Sequence, residues 1–474
     1  MKIVILGAGQ VGSTLAERLS FEQNDITLVD ANKARFKQLP DLDVRTVHGH
    51  ASSPSTLRAA GVDDAELVIA VTNSDEVNLV ACQISRALFR TPSLIARVRS
   101  SEYLDPEFEA KVFQPQDAWS DTANAKLARL WVQERISPET EVTNYIERLI
   151  GQPGALQVSD FAGGRAQMAC VTAISPGPLV GHKLRDLAQH LPDIDTRVAA
   201  VYRQDRPIIP EGDTVIQNGD EVFFIADRKH IRAVMSEMME TDKPYRRILI
   251  AGGGNIGARL ASKLEGKYRV QLIERDANRT RVLSEQLSKA IVNIGDASSR
   301  KLLDECGIAE TDVFCAVTNS DEANIMASML AKKMGARKVM TLINNPAYVD
   351  LVQGGLIDVA VSPEQATIGS ILRHVRRGEI QQAFSLRRGA AEALELVARG
   401  DANSSKVVGR AIEKIRLPEG ATIGAVVRGE EVLMGHNHIQ IESDDHVIVF
   451  LAEKNQKKLQ EIERMFQPSA EFLL

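Results

Sequence analysis

The sequence predicts an α/β protein made of two tandem, doubly wound parallel-sheet (Rossmann-like) domains, each followed by a small α+β lobe. Three observations carry that prediction. The opening KIVILGAGQVGSTLAERL returns at Arg247 as RILIAGGGNIGARLASKL. Short runs rich in valine, isoleucine and leucine (KIVIL, ITLVD, VRTVHG, ELVIAVT, SLIARVR) alternate with helical stretches such as VGSTLAERLS and EVNLVACQISRALF, the order of a parallel sheet covered on both faces. Further on, RVAAVYR, TVIQ and EVFFIA read as strands, with Asn218-Gly219 as a hairpin signal.

The repeat runs through the whole chain. ITLVD ending at Asp30 matches VQLIE ending at Glu274, VHGHASS matches VNIGDASS, and AVTNSDE is printed twice, from Ala70 and from Ala316. ISPETEVTNYIERLI from Ile136 resembles VSPEQATIGSILRHV from Val361, PLVGHKLRDL resembles VVGRAIEKI, and DTVIQNGDEVFFIA matches HIQIESDDHVIVFLA. Each half therefore holds a large and a small module. The expected divisions are 1–135 and 245–360 for the large modules, and 136–240 and 361–474 for a connecting helix with the small lobe. The stretch from Asp105 to Ser137 is much longer than its counterpart from Asp350 to Ser362, and it carries Trp119 and Trp131 in or beside the extra residues. It reads as a surface excursion or, more sharply, as a lid or contact arm.

Composition narrows the classes. Charged residues are 25% and hydrophobic residues 44% of 474, with a net charge of -6, which is ordinary for globular domains and argues against nucleic acid as the main partner. None of the four cysteines forms a CxxC pair, so a reducing compartment is expected. No apolar run reaches the length of a membrane span, and MKIVILGAGQ lacks a signal-peptide layout. A cytoplasmic location follows as the expectation. The histidines His48 and His50 read as loop residues, HNH at His436 reads as a turn, and no metal site is predicted.

Gly7, Gly9 and Gly12 form GxGxxG between the first strand and a helix; Gly252, Gly254 and Gly257 repeat it. Asp30 and Glu274 end the second strands, near the expected offset of about 20 residues. The first glycine permits the tight turn, the second lets a pyrophosphate approach the backbone, and the third lets helix and strand pack closely. Gln10 and Val11, and Asn255 and Ile256, open the helix whose N–H groups and partial positive charge face the ligand. Asp30 or Glu274 would accept hydrogen bonds from ribose hydroxyls and repel a 2′-phosphate, so NAD(H) is favoured over its phosphorylated form. ATP or ADP carries the same ribose and fits the same pattern. GHASS and GDASS end strand three and place His50, Ala51, Asp296 and Ala297 near an adenine.

In the twice-printed turn, Ser74 reads as an N-cap and Asp75 and Glu76 as a first helical turn. Two carboxylates there disfavour phosphate. Thr72 and Asn73, with Thr318 and Asn319 in the second copy, are left as polar contacts to a ribose or nicotinamide. After strand five the first copy has Arg97 and Arg99 where the second has Leu342 and Asn344. A forked arginine–phosphate contact is available only in the first copy.

A dehydrogenase needs a proton donor or acceptor beside the nicotinamide. None of the six tyrosines has a lysine four positions on, and no Cys–His pairing is suggested. A nucleotide-reading regulator, not an enzyme, fits better; a dehydrogenase of unrecognised substrate and an assembly scaffold with vestigial pockets stay open as alternatives.

The paired order of glycine turn, acid, GHASS/GDASS, TNSDE and a small lobe with PLVGHKL and GDEVFFIA resembles the regulator-of-potassium-conductance (RCK, or KTN) family over nearly the whole chain. The resemblance implies large modules that bind NAD(H) and, in related proteins, ATP or ADP. It implies crossover helices beginning near Ser137 and Ser362, and a homo-oligomeric ring, a tetramer in this reading. The ring would lie peripherally on the inner face of the bacterial membrane, beneath a potassium channel subunit of the TrkH or TrkG type. By motif, Gly7, Gly9, Gly12, Asp30, Thr72, Asn73 and Arg97 would hold nucleotide in the first copy. Gly252, Gly254, Gly257, Glu274, Asp296 and Thr318 would do so in the second. Gating would be allosteric, with nucleotides binding the ring's shapes unequally.

Overall fold

Lys2–Leu6 forms β1, and Ile3, Val4, Ile5 and Leu6 are all buried, because a central parallel strand is covered on both faces. The structure is a computed structural model that describes residues 1–21, 24–39, 42–100, 102–105, 132, 134–204, 206–208, 210–240, 243–352, 355–375, 380–386, 391–436, 438–452 and 455–467. It divides into two compact units: Met1–Val142 with Pro363–Val375, and Thr143–Ser362 with Arg376–Leu474.

In the first unit, β1 is joined by β2 (Asp25–Asp30), β3 (Arg45–His48), β4 (Leu67–Ala70), β5 (Ser93–Arg97) and β6 (Glu134–Ile136). The sheet runs β3-β2-β1-β4-β5-β6 with parallel pairings. The strand order reverses between β1 and β4, which opens a crevice at their C-terminal ends. Helix Gln10–Ser20 buries Val11, Leu15, Ala16 and Leu19 on one side of the sheet. Helix Pro363–Val375 closes the same core with Ile368, Ile371, Leu372 and Val375. Thr14 Oγ1 donates to Glu364 Oε1 at 3.0 Å, and burial pushes the Glu364 carboxyl up.

The second unit repeats the sheet with β12 (Arg247–Ala251), β13 (Arg269–Glu274), β14 (Ile291–Ile294), β15 (Val313–Ala316), β16 (Lys338–Leu342) and β17 (Val359–Val361). Their order is β14-β13-β12-β15-β16-β17, again parallel. Lys263 on helix Asn255–Leu264 donates to Asn144 at 2.6 Å and Glu147 at 3.1 Å, both from helix Pro138–Gly151.

The same unit holds two antiparallel sheets. One consists of β7 (Gln157–Phe161), β8 (Ala166–Thr172), β9 (Thr196–Arg203), β10 (Arg206–Ile208) and β11 (Glu221–Asp227); the other of β18 (Ile380–Leu386), β19 (Ala391–Val397), β20 (Ala421–Arg428), β21 (Glu431–Met434) and β22 (His446–Leu451). Their orders, β10-β9-β11-β8-β7 and β18-β19-β22-β20-β21, are the same topology. The sheets share one apolar core that includes Phe161, Tyr202, Phe223, Leu386, Val427 and Phe450, a sheet-on-sheet packing. Phe223 lies 5.9 Å from Tyr202 and 6.4 Å from Phe450, centroid to centroid.

The small lobe departs from the sequence reading in one place. TVIQ is not a strand: it makes one isolated bridge, Val215 with Lys183, flanked by backbone hydrogen bonds that join Thr214 and Ile216 to the 181–184 segment. Asn218-Gly219 is not a two-residue hairpin either; the Asn218 side chain accepts from the Ser175 N–H at 3.0 Å, and Gly219 takes φ +91° ahead of β11. The local turn chemistry is right, but its partner is the loop after β8. Trp119 and Trp131 lie outside the described residues. All four cysteines are buried, and burial pushes the Cys82 and Cys315 thiols up to about 12, so they act as core side chains. Among the described residues no helix is long and apolar enough to cross a membrane.

Phe223→Ala opens a cavity between the two antiparallel sheets. It should cost about 3–5 kcal/mol, read as a lower denaturant midpoint in the unfolding of the full chain.

Candidate nucleotide site

The glycine turns are built from close approaches that only glycine permits. A β-carbon on Gly12 would fall 1.8 Å from the Gly7 carbonyl oxygen, and one on Gly257 would fall 1.8 Å from that of Gly252. Gly7 and Gly252 take φ +110° and +107°. Each also lies against the AVTNSDE turn: a β-carbon would sit 3.0 Å from the Thr72 or Thr318 nitrogen. Gly9 and Gly254 are the N-caps of their helices and bring no side-chain cap. The first intrahelical bonds, Ser13 N–H to Gly9 O and Ala258 N–H to Gly254 O, are both 2.9 Å. The N–H groups of Val11, Gly12, Ile256 and Gly257 precede them and have no acceptor within the helix. Gln10 and Asn255 are exposed at the same turns.

The acids stand where the spacing places them. Asp30 is 8% exposed; it accepts from the Ala8 and Asn32 N–H groups, each at 2.7 Å. Glu274 accepts from Gly253 N–H at 2.7 Å and Asp276 N–H at 2.8 Å. Each carboxylate thus ties the glycine turn to the chain after strand two. A carboxylate has about four acceptor positions, so capacity for a ribose remains.

Two residues missed from sequence share this mouth. Arg35 Nη1 lies 3.3 Å from Asp30 Oδ2 and 3.2 Å from the place of a β-carbon on Gly9. Arg279 Nε donates to the Gly253 carbonyl at 2.8 Å. The signal was available: an arginine follows each acid at the same offset in both copies.

Thr72 and Thr318 are committed to the protein. Thr72 N–H and Oγ1–H both donate to Asn78 Oδ1, at 2.9 and 2.7 Å. Asn78 Nδ2 in turn donates to Arg97 O at 2.9 Å and Thr72 O at 3.3 Å. Asn324 repeats all four contacts with Thr318 and Leu342 O. Both asparagines are fully buried. The expectation that the threonine hydroxyls face a ligand is therefore narrowed to their backbone, which walls the glycine turn; Asn73 remains exposed. The spacing TNSDExN, the same in both copies, was the missed signal.

Ser74 and Ser320 cap their helices as expected, accepting from the Val77 and Ala323 N–H at 3.2 Å. Asp75, however, does more than favour a helix dipole: its Oδ2 accepts the Arg99 and Ser100 N–H groups, each at 2.8 Å. Asp321 likewise takes the N–H groups of Asn344 and Asn345. Glu76 is held low chiefly by the Ser74 hydroxyl.

Arg97 is 8% exposed and turns back into the protein, with Nη2 donating to Thr72 O at 2.8 Å and Nε without a partner. Burial, then repulsion from Arg99, push the guanidinium down to about 10, while Glu139 and Asp75 oppose the shift. The forked phosphate contact expected from sequence is thus not displayed: its fork is turned onto the back of the turn. His50 is exposed, with Nδ1 3.0 Å from Ser52 Oγ, and Ala51 is buried. Asp296 is exposed and accepts from Ser298 Oγ and N, which hold it low; Ala297 is half-buried and Asn319 exposed.

The TrkA-N domain model matches residues 3–114 and 248–363, and the TrkA-C domain model 169–239 and 401–464. The Trk system potassium uptake protein TrkA of Halomonas elongata is 55% identical over 473 residues, and that of Vibrio alginolyticus 56% over 474, each comparison covering 100% of both chains. This chain belongs to the TrkA family. Solved structures with a similar fold include the GsuK RCK domain (18% identity, TM-score 0.57, 98% of this chain and 94% of that one) and the GsuK channel bound to NAD (18%, 0.56, 98% and 78%). The TrkA-N matches span both glycine turns, both acids and both TNSDExN turns.

Asn78→Leu removes an amide that satisfies two donors and two carbonyls. The turn should lose about 1–3 kcal/mol, seen as faster hydrogen exchange at the Thr72 amide with slower-exchanging β1 amides unchanged.

Proposed function

We propose that the chain is a non-enzymatic regulatory subunit of a Trk potassium uptake system that reads cytosolic nucleotides. The observation that carries this reading is the duplicated mouth: an uncapped helix start at a glycine turn, clamped by a ribose-accepting acid, in each half. TrkA relatives are named for potassium uptake, and a channel of the same fold has been solved with NAD.

In this reading NAD(H) occupies the turn formed by Gly7, Gly9, Gly12 and Asp30. NAD(H), ATP or ADP occupies that formed by Gly252, Gly254, Gly257 and Glu274. Thr72, Arg97 and Thr318 shape the pockets from behind. The large modules 1–135 and 245–360 hold ligand, and 136–240 and 361–474 carry the change onward. Several copies form a ring, a tetramer here, under a TrkH- or TrkG-type channel subunit at the inner membrane face. A nucleotide shifts such a ring only by its unequal affinity for two shapes, typically about 1–3 kcal/mol.

Ligand at 100 times its dissociation constant should stabilise the chain by about 2.7 kcal/mol. Thermal unfolding of the full-length protein with NAD, NADH, ATP or ADP reads this directly. Asp30→Ala with Glu274→Ala should abolish the shift and the nucleotide response of potassium uptake in cells. Absence of a shift with all four ligands, or steady substrate-dependent turnover of NADH, would overturn the reading.

A further inference from the structure

Two arginines stand at the mouths of the glycine turns, and the proposed nucleotide reading leaves both unused. Arg35 is carried by the short 3₁₀ turn Lys33–Gln38, whose cap Asn32 accepts from Ala34 N–H. Arg279 lies in helix Ala277–Gln286, capped by Asp276 through the Arg279 N–H itself. Different local structures thus deliver an arginine to the mouth of the glycine turn in each copy, Arg35 beside Gly9 and Arg279 onto the Gly253 carbonyl.

That place is where phosphate comes. The second glycine is the one whose missing side chain admits a pyrophosphate, and Arg35 Nη1 is 3.2 Å from the vacated β-carbon position of Gly9. Arg279 sits on the carbonyl of Gly253, between the first and second glycines of its own turn. A guanidinium facing an uncapped helix start gives an anion two sources of positive potential, one of which can fork onto phosphate oxygens.

The resting partners differ. Arg35 is paired with Asp30, the acid assigned to the ribose. Its side chain is 44% exposed, and an ion pair so open to water contributes little. It is readily exchanged for a charge-assisted contact to a diphosphate. Among the described residues Glu274 has no ion-pair partner, and Arg279 is bonded to backbone instead.

We propose that Arg35 and Arg279 are the diphosphate-binding residues of the two pockets, and that the Asp30–Arg35 pair is a ligand-exchange latch. A nucleoside diphosphate group takes the guanidinium, and its ribose takes the released carboxylate. The latch selects against nucleosides without a diphosphate, which must break the pair and offer the guanidinium nothing. This inference rests on the nucleotide reading of the same pocket.

The test uses the full-length chain in a Glu274→Ala background, so that the first pocket dominates, with ADP and adenosine titrated calorimetrically. Arg35→Gln should weaken ADP about tenfold or more, leave adenosine unchanged or tighter, and flatten the salt dependence of ADP binding. Arg35→Lys, which keeps the charge and loses the fork, should fall between. Equal weakening of ADP and adenosine would mean that Arg35 only props Asp30, and no change in either would remove it from the pocket; both overturn the inference and spare the nucleotide reading. A parent chain that binds neither ligand overturns both.

Discussion

No β-carbon fits at position 12 or 257, and most of the site follows from that. With glycine there, the first turn of the helix rests on the carbonyl of Gly7 or Gly252, which brings the helix start onto the end of the central strand. The same closeness puts the backbone of Thr72 and Thr318 against the first glycine. A wall this near must not move, and the chain fixes it with one fully buried amide. Asn78 or Asn324 satisfies the threonine N–H, hydroxyl and carbonyl and the end of the fifth strand together. Asp75 and Asp321 extend the brace by capping the backbone that leaves that strand. A buried polar network is stable only when every member is paired, and these are paired in both copies.

The copies part where the brace meets charge. Arg97 adds a second donor to Thr72 O in the first copy, whereas Leu342 adds none in the second. Burying a guanidinium with an unpartnered Nε is costly. Leucine meets the packing requirement at the same position without that cost, so stability alone does not account for the arginine. Glu139, itself pushed up by burial, opposes the cost through its charge from the start of helix Pro138–Gly151. The first pocket is thereby linked electrostatically to the helix that follows its sheet.

The repeat made the architecture legible: hydrophobic runs, glycine turns and acids recur in register, and both sheets have the order those signals imply. Asp30 and Glu274 were readable as strand-end acids because their spacing from the glycine turn marks the end of the second strand in each copy. The inward turn of Thr72 and Arg97 was not, because a side chain at a sheet edge can face the crevice or the turn behind it. Only the buried amide of Asn78, nearby in sequence but read as one more helix residue, decides between them. TVIQ misled for a related reason. Alternation marks a half-buried extended segment, but whether it becomes a strand depends on what lies alongside, and the pairing here stops at a single bridge between Val215 and Lys183.

Duplication within one chain permits what a symmetric pair of single-copy chains does not. In a homodimer, any residue added to one pocket is added to its mate. Here the two small sheets keep the same topology and share one apolar core, so the paired architecture survives while each pocket is encoded separately. The differences fall accordingly: Arg97 against Leu342, Asp30 against Glu274, Arg35 bonded to an acid against Arg279 bonded to backbone. The elements that build the wall, from the third glycine to the buried asparagine, are the same in both. The backbone of the turn is held constant, while the side chains around it differ in one charge, Arg97 against Leu342, and in what the mouth arginine bonds.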